Sequence, residues 1–150
     1  MEKTEVQISM RSIFAPAATG EGAEVSWDSS RCQQMETEAQ GEYFRKGDVS
    51  CCIYEEQPEG WEEPYRVMLK WKDNMLERRR MGQMASKVRY EAGKCVSDRY
   101  RTPYGELQME METYKLDIQE TPEEILLMIE YGIRQNGQKV SENRIEIRIK

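Results

Sequence analysis

The chain has 150 residues, of which 38% are hydrophobic and 33% are charged, and it carries a net charge of −6 at pH 7. This length suits one domain, residues 1–150, that buries about 68–70% of the surface of the unfolded chain. The chain contains no histidine, which excludes Ser–His–Asp triads, histidine-ligated zinc and the commonest acid–base catalyst at neutral pH.

The sequence offers no signal for a membrane. It has no apolar run near the ~20 residues of a membrane span, and Met1–Glu5 does not begin a signal peptide. We therefore expect a cytoplasmic protein without a membrane partner. In that compartment Cys32, Cys51, Cys52 and Cys95 are expected to be reduced thiols.

The first third of the chain alternates apolar and polar residues, which is the period of a half-buried strand. A strand is predicted from Val6 to about Phe14, and residues 15–31, rich in Ala, Gly, Ser and Glu, are predicted to form a long mobile loop. A second strand follows from about Cys32 to Arg45. Lys46-Gly47-Asp48 then predicts a hairpin turn into a strand at Val49–Glu56.

The middle of the chain continues this pattern of short strands. Alternation predicts strands at Tyr65–Lys72 and Met75–Met81, with Asp73-Asn74 as the turn between them. Two further strands are predicted, one around Val88–Tyr90 and one at Cys95–Thr102.

A tight turn at Tyr100–Gly105 leads into a strand that changes its apolar face. Pro103 suits the second position of such a turn. Apolar residues alternate over Leu107–Met111, but over Tyr114–Ile118 they have the opposite parity. This slip predicts a bulge or a sharp bend near Met111–Tyr114.

The segment after Thr121 allows two interpretations. Thr121-Pro122-Glu123-Glu124 has the hydroxyl cap, proline and acids of a helix start. Period-2 alternation over Ile125–Ile133 favours a strand, and Asn136-Gly137 is the preferred hairpin pair before the alternating Arg144–Lys150. We expect the strand and keep the helix as the alternative. About ten short strands in all predict a sandwich or a barrel.

Several stretches are similar to one known family: Gly41-Glu42-Tyr43 with Lys46-Gly47, Tyr54-Glu55-Glu56, Arg80-Met81-Gly82, Tyr100-Arg101-Thr102-Pro103-Tyr104-Gly105 and Asn136-Gly137. On these residues the chain resembles the small bacterial domain-of-unknown-function family 1934 from about Val6 to Ile149. The resemblance implies an all-β fold, an antiparallel calycin-like (lipocalin-like) up-and-down barrel of about 8–10 strands. It also implies a strand at Ile125–Ile133.

No activity is established for that family, so the resemblance implies no catalytic residue. The chain departs from the family in a longer loop over Ala15–Ser30. It also departs at Cys51-Cys52, where the family tends to have larger apolar or aromatic residues.

The thiols and carboxylates do not form a recognisable catalytic or metal-binding pattern. Cys51 and Cys52 are neighbours that would point to opposite faces of a strand, and a small buried hydrophobe is the favoured interpretation of each. Carboxylates such as Glu106, Glu110 and Glu112 are expected to form the wet face of one strand. We therefore expect no enzyme activity, no metal and no cofactor.

The distribution of charge suggests a partner. Arg66–Arg101 contains eleven Lys and Arg against four Asp and Glu, a net charge of +7, whereas the remainder carries −13. Our hypothesis is that Arg80, with Arg78, faces the barrel interior and fixes the acidic end of a small ligand together with Tyr43, Tyr90 or Tyr100. Arginine suits this role because its planar guanidinium binds carboxylate or phosphate bidentately.

The alternative is that these arginines pair across strands with glutamates such as Glu110 and Glu112 and hold the register. Two functions therefore stay open. One is a barrel that binds a small anionic, apolar or amphipathic ligand in its lumen. The other is a structural or protein-interaction domain whose barrel is filled with side chains. Nucleic acid is an unfavoured partner because the whole chain is acidic, and the sequence does not determine an oligomeric state.

Overall fold

The computed structural model describes residues 2–16, 32–57, 62–81, 86–102 and 105–150, and for residues 98–102 and 105–107 it describes the backbone alone. The described residues form strands and turns without a helix, so the all-β prediction is confirmed. The ten strands are β1 (Thr4–Pro16), β2 (Gln33–Lys46), β3 (Val49–Glu56), β4 (Tyr65–Lys72), β5 (Met75–Met81), β6 (Ser86–Glu91), β7 (Cys95–Thr102), β8 (Gly105–Glu120), β9 (Ile125–Gln135) and β10 (Gln138–Ile149).

The strands form one antiparallel sheet in the order β6-β5-β4-β3-β2-β1-β10-β9-β8-β7. The two end strands, β6 and β7, are consecutive in the chain, so the sheet curls until its ends meet. The backbone of the β6–β7 connection bonds to β8 there: Gly93 N–H donates to the Thr113 carbonyl at 2.8 Å, and Thr113 N–H donates to the Lys94 carbonyl at 3.1 Å. The result is a nearly closed up-and-down barrel, as predicted.

The segment with two interpretations is a strand. Ile125–Gln135 pairs with β8 on one side and β10 on the other. The Thr121 hydroxyl bonds the backbone of Glu124, so the hydroxyl closes a turn before the strand. Asn136 and Gly137 have φ values of 51° and 81°, which is the geometry that a two-residue type I′ hairpin requires.

The predicted bulge is also confirmed. The β8–β9 register shifts between Thr113 and Lys115, so Tyr114 is the extra residue. Its side chain lies where a Cβ on Gly132 would be, and it therefore covers the strand at the one position without a side chain. The bulge explains why the inward parity changes from Met111 to Leu116.

One prediction, the end of the first strand, needs correction. Ala15 and Pro16 belong to β1 and not to a loop, because Pro16 still pairs in register with Ser141 of β10. The rest of the predicted mobile loop, residues 17–31, lies outside the described residues. The centre of the turn predicted at 100–105 also lies outside them.

The interior of the barrel is filled in its middle by apolar side chains that alternate with outward polar ones. Val67, Leu69 and Leu76 are 0% exposed, and burial of this kind stabilises by about 1.5–3 kcal/mol per large side chain. The buried members of this core are Ile8, Cys52, Tyr54, Val67, Leu69, Trp71, Leu76, Tyr90, Leu127, Ile129, Ile147 and Ile149.

The barrel has two ends, and because neighbouring strands run in opposite directions, odd- and even-numbered strands finish at opposite ends. The odd-numbered strands finish at one end, which we call the Glu56 end after the last residue of β3. The even-numbered strands finish at the other, which we call the Glu120 end after the last residue of β8. The packed middle of the barrel separates two sets of inward polar side chains.

Candidate functional site

The Glu56 end holds a cluster of polar side chains on the inward face of three neighbouring strands. Glu56 continues the inward parity of Cys52 and Tyr54 on β3, and Tyr65 and Arg78 occupy the same face of β4 and β5. The Tyr54 hydroxyl donates to one Glu56 oxygen at 2.7 Å, and the Tyr65 hydroxyl donates to the other at 2.7 Å. Arg78 Nη2 reaches that second oxygen at 2.9 Å. We call these four residues and Arg80 the Glu56 cluster.

The electrostatics of the cluster follow from its burial and from the salt bridge between Arg78 and Glu56. The side chains of Arg78 and Glu56 are 21% and 15% exposed. Burial would raise the pKa of Glu56, but the Arg78 charge and the hydrogen bonds from Tyr54, Tyr65 and Arg78 outweigh it, so the pKa is lowered. Burial would lower the pKa of Arg78, but the charge of Glu56, the neighbouring Tyr54 and Tyr90 and the hydrogen bond to Glu56 together raise it. The carboxylate and the guanidinium therefore hold each other in their charged forms.

The two tyrosines keep their protons. Burial raises the pKa of Tyr54, and the charge of Glu56 raises it further. Burial also raises the pKa of Tyr65, and the hydrogen bond to Glu56 raises it further. Both hydroxyls therefore act as donors to the carboxylate at neutral pH.

Arg80 lies in the cluster without a carboxylate of its own. Its guanidinium carbon is 4.2 Å from the centre of the Tyr65 ring, which is a cation–π distance. Its Nε is buried and has no hydrogen-bond partner, and no salt bridge with a described carboxylate involves it. A charged group thus lies over an aromatic ring with its buried Nε donor unused.

The structure brings some of the predicted site residues together and separates others. Arg78 and Arg80 share the inward face of β5 with Leu76, as predicted, and Tyr90 of β6, which pairs with Leu76, contributes to the electrostatic environment of Arg78. Tyr43 lies away from them, toward the Glu120 end, where its ring stacks on Trp71 at 6.0 Å. Tyr100 is in β7, but its side chain is outside the described part of the structure.

The carboxylate partners named in the alternative interpretation are wrong. Arg78 pairs with Glu56 and not with Glu110 or Glu112, and among the described side chains Glu112 forms a salt bridge with Arg134, at 3.9 Å. Sequence reasoning also missed Tyr54 and Tyr65 as parts of the cluster. The alternation of β3 places Tyr54 and Glu56 on the inward face, and Tyr65 lies directly across from Glu56 in the β3–β4 hairpin. This pattern could have predicted that both tyrosines belong to the cluster.

The Glu120 end contains a second inward carboxylate in a different environment. Trp71 Nε1 donates to Glu120 Oε1 at 2.5 Å, and the Ser50 hydroxyl donates to the same oxygen at 3.3 Å. Both donors are neutral. Within the described part of the chain, no cation forms a salt bridge with Glu120.

A small apolar cavity lies against β6, the strand that pairs with β5. An apolar cavity of about 60 Å³ lies between β6, β7, β8 and β9 and is lined by Lys87, Val88, Val96, Met109, Glu110, Met111 and Ile133. Val88 is directly across from Arg78 in the β5–β6 register, but no residue of the Glu56 cluster lines this cavity. It is too small for a drug-sized ligand.

Other chemistry is not supported by the described residues. Burial raises the pKa of Cys52 to about 12, and burial also raises that of Cys51, so neither thiol is a ready nucleophile. No group of three or more Cys, Asp or Glu side chains among the described residues could hold a metal ion. The described residues also include no helix long and apolar enough to span a membrane.

Comparison with known proteins identifies the class to which this barrel belongs. The model of the family Domain of unknown function (DUF1934) matches residues 21–147. The chain therefore belongs to DUF1934.

A solved structure has the same fold. The crystal structure of the YwiB protein from Bacillus subtilis is similar over 97% of this chain and 91% of that chain, with a TM-score of 0.70 and 16% sequence identity. At this identity the similarity concerns the fold alone. No curated protein matches the chain.

Proposed function

We propose that this DUF1934 barrel binds a small anionic ligand at its Glu56 end, with Arg80 as the residue that contacts the anion. The observation that carries the proposal is the buried Nε of Arg80, which has no hydrogen-bond partner. A buried donor without an acceptor costs free energy, and a bound carboxylate or phosphate would remove that cost. Guanidinium groups bind both anions through paired N–H donors.

The rest of the cluster supports Arg80 in this role. Both Glu56 oxygens already accept hydrogen bonds from Tyr54, Tyr65 and Arg78, and Glu56 forms its salt bridge with Arg78. Tyr65 then presents the face of its ring to Arg80 at 4.2 Å. This contact positions the guanidinium beside the cluster, where its Nε donor has no hydrogen-bond partner.

The second candidate is a structural or protein-interaction domain that binds no small molecule. The packed middle of the lumen favours it, because Val67, Leu69 and Leu76 are fully buried between the two ends. Exposed apolar side chains on β1 and β2 favour it too: Phe14 is 40% exposed and Met35 is 67% exposed. In this second case Arg80 would respond to no anion.

Thermal unfolding with a panel of small anions separates the two candidates. The panel contains acetate, butyrate and inorganic phosphate as sodium salts, each compared with sodium chloride at the same ionic strength. At about ten times Kd a ligand stabilises by about 1.4 kcal/mol, which raises the Tm of a domain of this size by roughly 3–6 °C. We expect such a rise for at least one anion, and we expect Arg80→Ala to abolish it.

Arg79→Ala is the matched control, since Arg79 is the next residue and points outward, where its Nη2 is 3.8 Å from Glu77. It removes the same charge and must keep the response. The proposal fails if no anion in the panel raises the Tm of the wild type. It also fails if Arg80→Ala, with an unchanged circular dichroism spectrum, responds like the wild type.

A further inference from the structure

The first half of β2 has an edge that no described strand covers. On one side β1 pairs with Gln33–Tyr43 of β2, whereas on the other side β3 pairs only with Gly41–Lys46. Within the described ranges, residues 33–40 therefore have no strand on the side away from β1, and the side chains from Gln33 to Glu38 are all exposed. These eight residues span about 27 Å, and their unpaired backbone groups are open to a further strand.

The two faces of this edge differ in chemistry. Glu36 and Glu38 lie on the outward face, and Arg11 of β1 is directly across from Glu36. Arg11 forms its salt bridge with Glu146, and neither Glu36 nor Glu38 forms a salt bridge with a cation in the described part of the chain. Met35 lies on the inward face and is 67% exposed. The edge is therefore acidic on one face and apolar on the other.

A second copy of the chain does not suit this edge. Antiparallel pairing sets outward side chains opposite outward side chains. Two copies of residues 33–40 can pair over more than five residues in only two such registers. One register sets Glu36 opposite Glu36 of the other copy, and the second sets Glu36 opposite Glu38. Like charges directly opposite each other are destabilising, so the glutamates disfavour self-association through this edge.

From the unpaired backbone and the two faces we infer that residues 33–40 of β2 bind an extended polypeptide segment that alternates basic and apolar residues. The segment adds to the sheet as a further strand. Its basic side chains lie beside Glu36 and Glu38, and its apolar side chains lie beside Met35. The net charge of −6 attracts such a segment. This inference concerns β2 and does not rest on the anion site at Arg80.

Fluorescence anisotropy with three labelled eight-residue peptides tests the inference. The first alternates lysine and valine, the second alternates glutamate and valine, and the third has the residues of the first arranged in two blocks. We expect the alternating lysine peptide to bind about tenfold or more tightly than either of the others. The glutamate peptide is repelled, and the block peptide cannot place its lysines on one face of a strand.

A charge swap makes the result specific to the edge. In Glu36→Lys/Glu38→Lys the preference should reverse, so that the glutamate peptide binds about tenfold more tightly than the lysine peptide. The matched control is Glu2→Lys/Glu123→Lys, which changes the charge equally at two exposed positions near the Glu120 end. It should keep the preference of the wild type. Circular dichroism checks that both variants are folded.

Amide hydrogen exchange locates the bound peptide. With the lysine peptide bound, we expect slower exchange at alternate residues between 33 and 40, those whose N–H groups point away from β1. Absence of binding, equal binding of the lysine and glutamate peptides, an unchanged preference in the charge swap, or protection only outside β2 overturns the inference. A wild-type dimer whose β2 amides are already protected would assign the edge to a second copy and would overturn it too.

Discussion

The two ends of the barrel differ in the groups that surround an inward glutamate. Each end turns one glutamate toward the interior, Glu56 at the end of β3 and Glu120 at the end of β8. Glu56 is paired with a buried guanidinium, Arg78, and a second guanidinium lies beside it. Glu120 accepts hydrogen bonds from the neutral groups of Trp71 and Ser50.

This difference shows that an inward carboxylate alone does not indicate a ligand-binding site. At the Glu120 end the Trp71 indole and the Ser50 hydroxyl donate to the carboxylate, and no described cation forms a salt bridge with it. At the Glu56 end the carboxylate is satisfied and a cation remains. The surplus is Arg80, and the candidate function follows from that surplus.

Loss of the Arg78 guanidinium should have the largest effect on stability. Arg78→Met leaves Glu56 buried without its cation, and breaking a buried pair in this way costs about 3 kcal/mol. Urea denaturation monitored by tryptophan fluorescence measures the change in the free energy of unfolding. Arg79→Met is the control and should change it by about 0.5 kcal/mol or less, because Arg79 is 42% exposed.

A double variant sharpens this result. In Arg78→Met/Glu56→Leu neither charge is left unpaired, so we expect the double variant to recover most of the loss. If Arg78→Met and Arg79→Met are equally stable, the Arg78–Glu56 pair does not hold the Glu56 end together.

Acidification should weaken the Glu56 end through its carboxylate. The pKa of folded Glu56 is lowered from the ordinary value of 4.5, so on acidification the unfolded state takes up this proton first. The stabilisation is therefore complete above about pH 5 and is lost as the pH falls below 4.5 through the folded pKa. Tm measured between pH 7 and pH 3 should fall more steeply for the wild type than for Glu56→Gln. Parallel curves would contradict the assignment.

The Glu120 end should show a weaker coupling. A double-mutant cycle with Trp71→Phe and Glu120→Gln isolates the hydrogen bond between the indole and the carboxylate. We expect a coupling energy of about 1–2 kcal/mol, as for a hydrogen bond that involves one charged group. A coupling larger than that of Arg78 and Glu56 would reverse the comparison between the two ends.

We expect Arg80 to contribute least to the stability of the fold, although it is the residue proposed to bind the anion. Arg80→Met removes only a cation–π contact with Tyr65, worth about 0.5–1 kcal/mol, and it also removes the unsatisfied Nε donor. We expect its free energy of unfolding to remain within about 1 kcal/mol of the wild type. A loss as large as that of Arg78→Met would show that Arg80 holds the fold and is not reserved for a ligand.

Much of the fold could be predicted from the sequence because one-sided strands leave a period-2 record. The isoleucines of β9 and β10, the bulge at Tyr114 and the hairpin at Asn136-Gly137 were all readable in this way. The end of β1 was not, because Ala15 and Pro16 have weak strand propensity and are held by pairing with β10. Partners distant in the chain decided that boundary.

The candidate site was only partly readable for the same reason. Parity placed Arg78 and Arg80 on one face with Leu76, but it could not say which glutamate lies opposite. That depends on the β3–β4 and β4–β5 registers, which bring Glu56 across from Tyr65 and near Arg78. Tyr43 shares the inward face with these residues and still lies toward the other end, because parity fixes a face and not a height along the barrel.

The central claim is that the side-chain donors of Arg80 are available to an anion, and the Nε–Hε resonances of the arginines test it most directly. In a titration with acetate followed by ¹H–¹⁵N correlation spectra, we predict a saturable shift of the Arg80 Nε–Hε peak. The Arg80 and Arg79 peaks are each assigned by substituting the residue, and the Arg79 peak should show no saturable shift. An Arg80 peak that does not respond, or that moves no more than the Arg79 peak, would contradict the account.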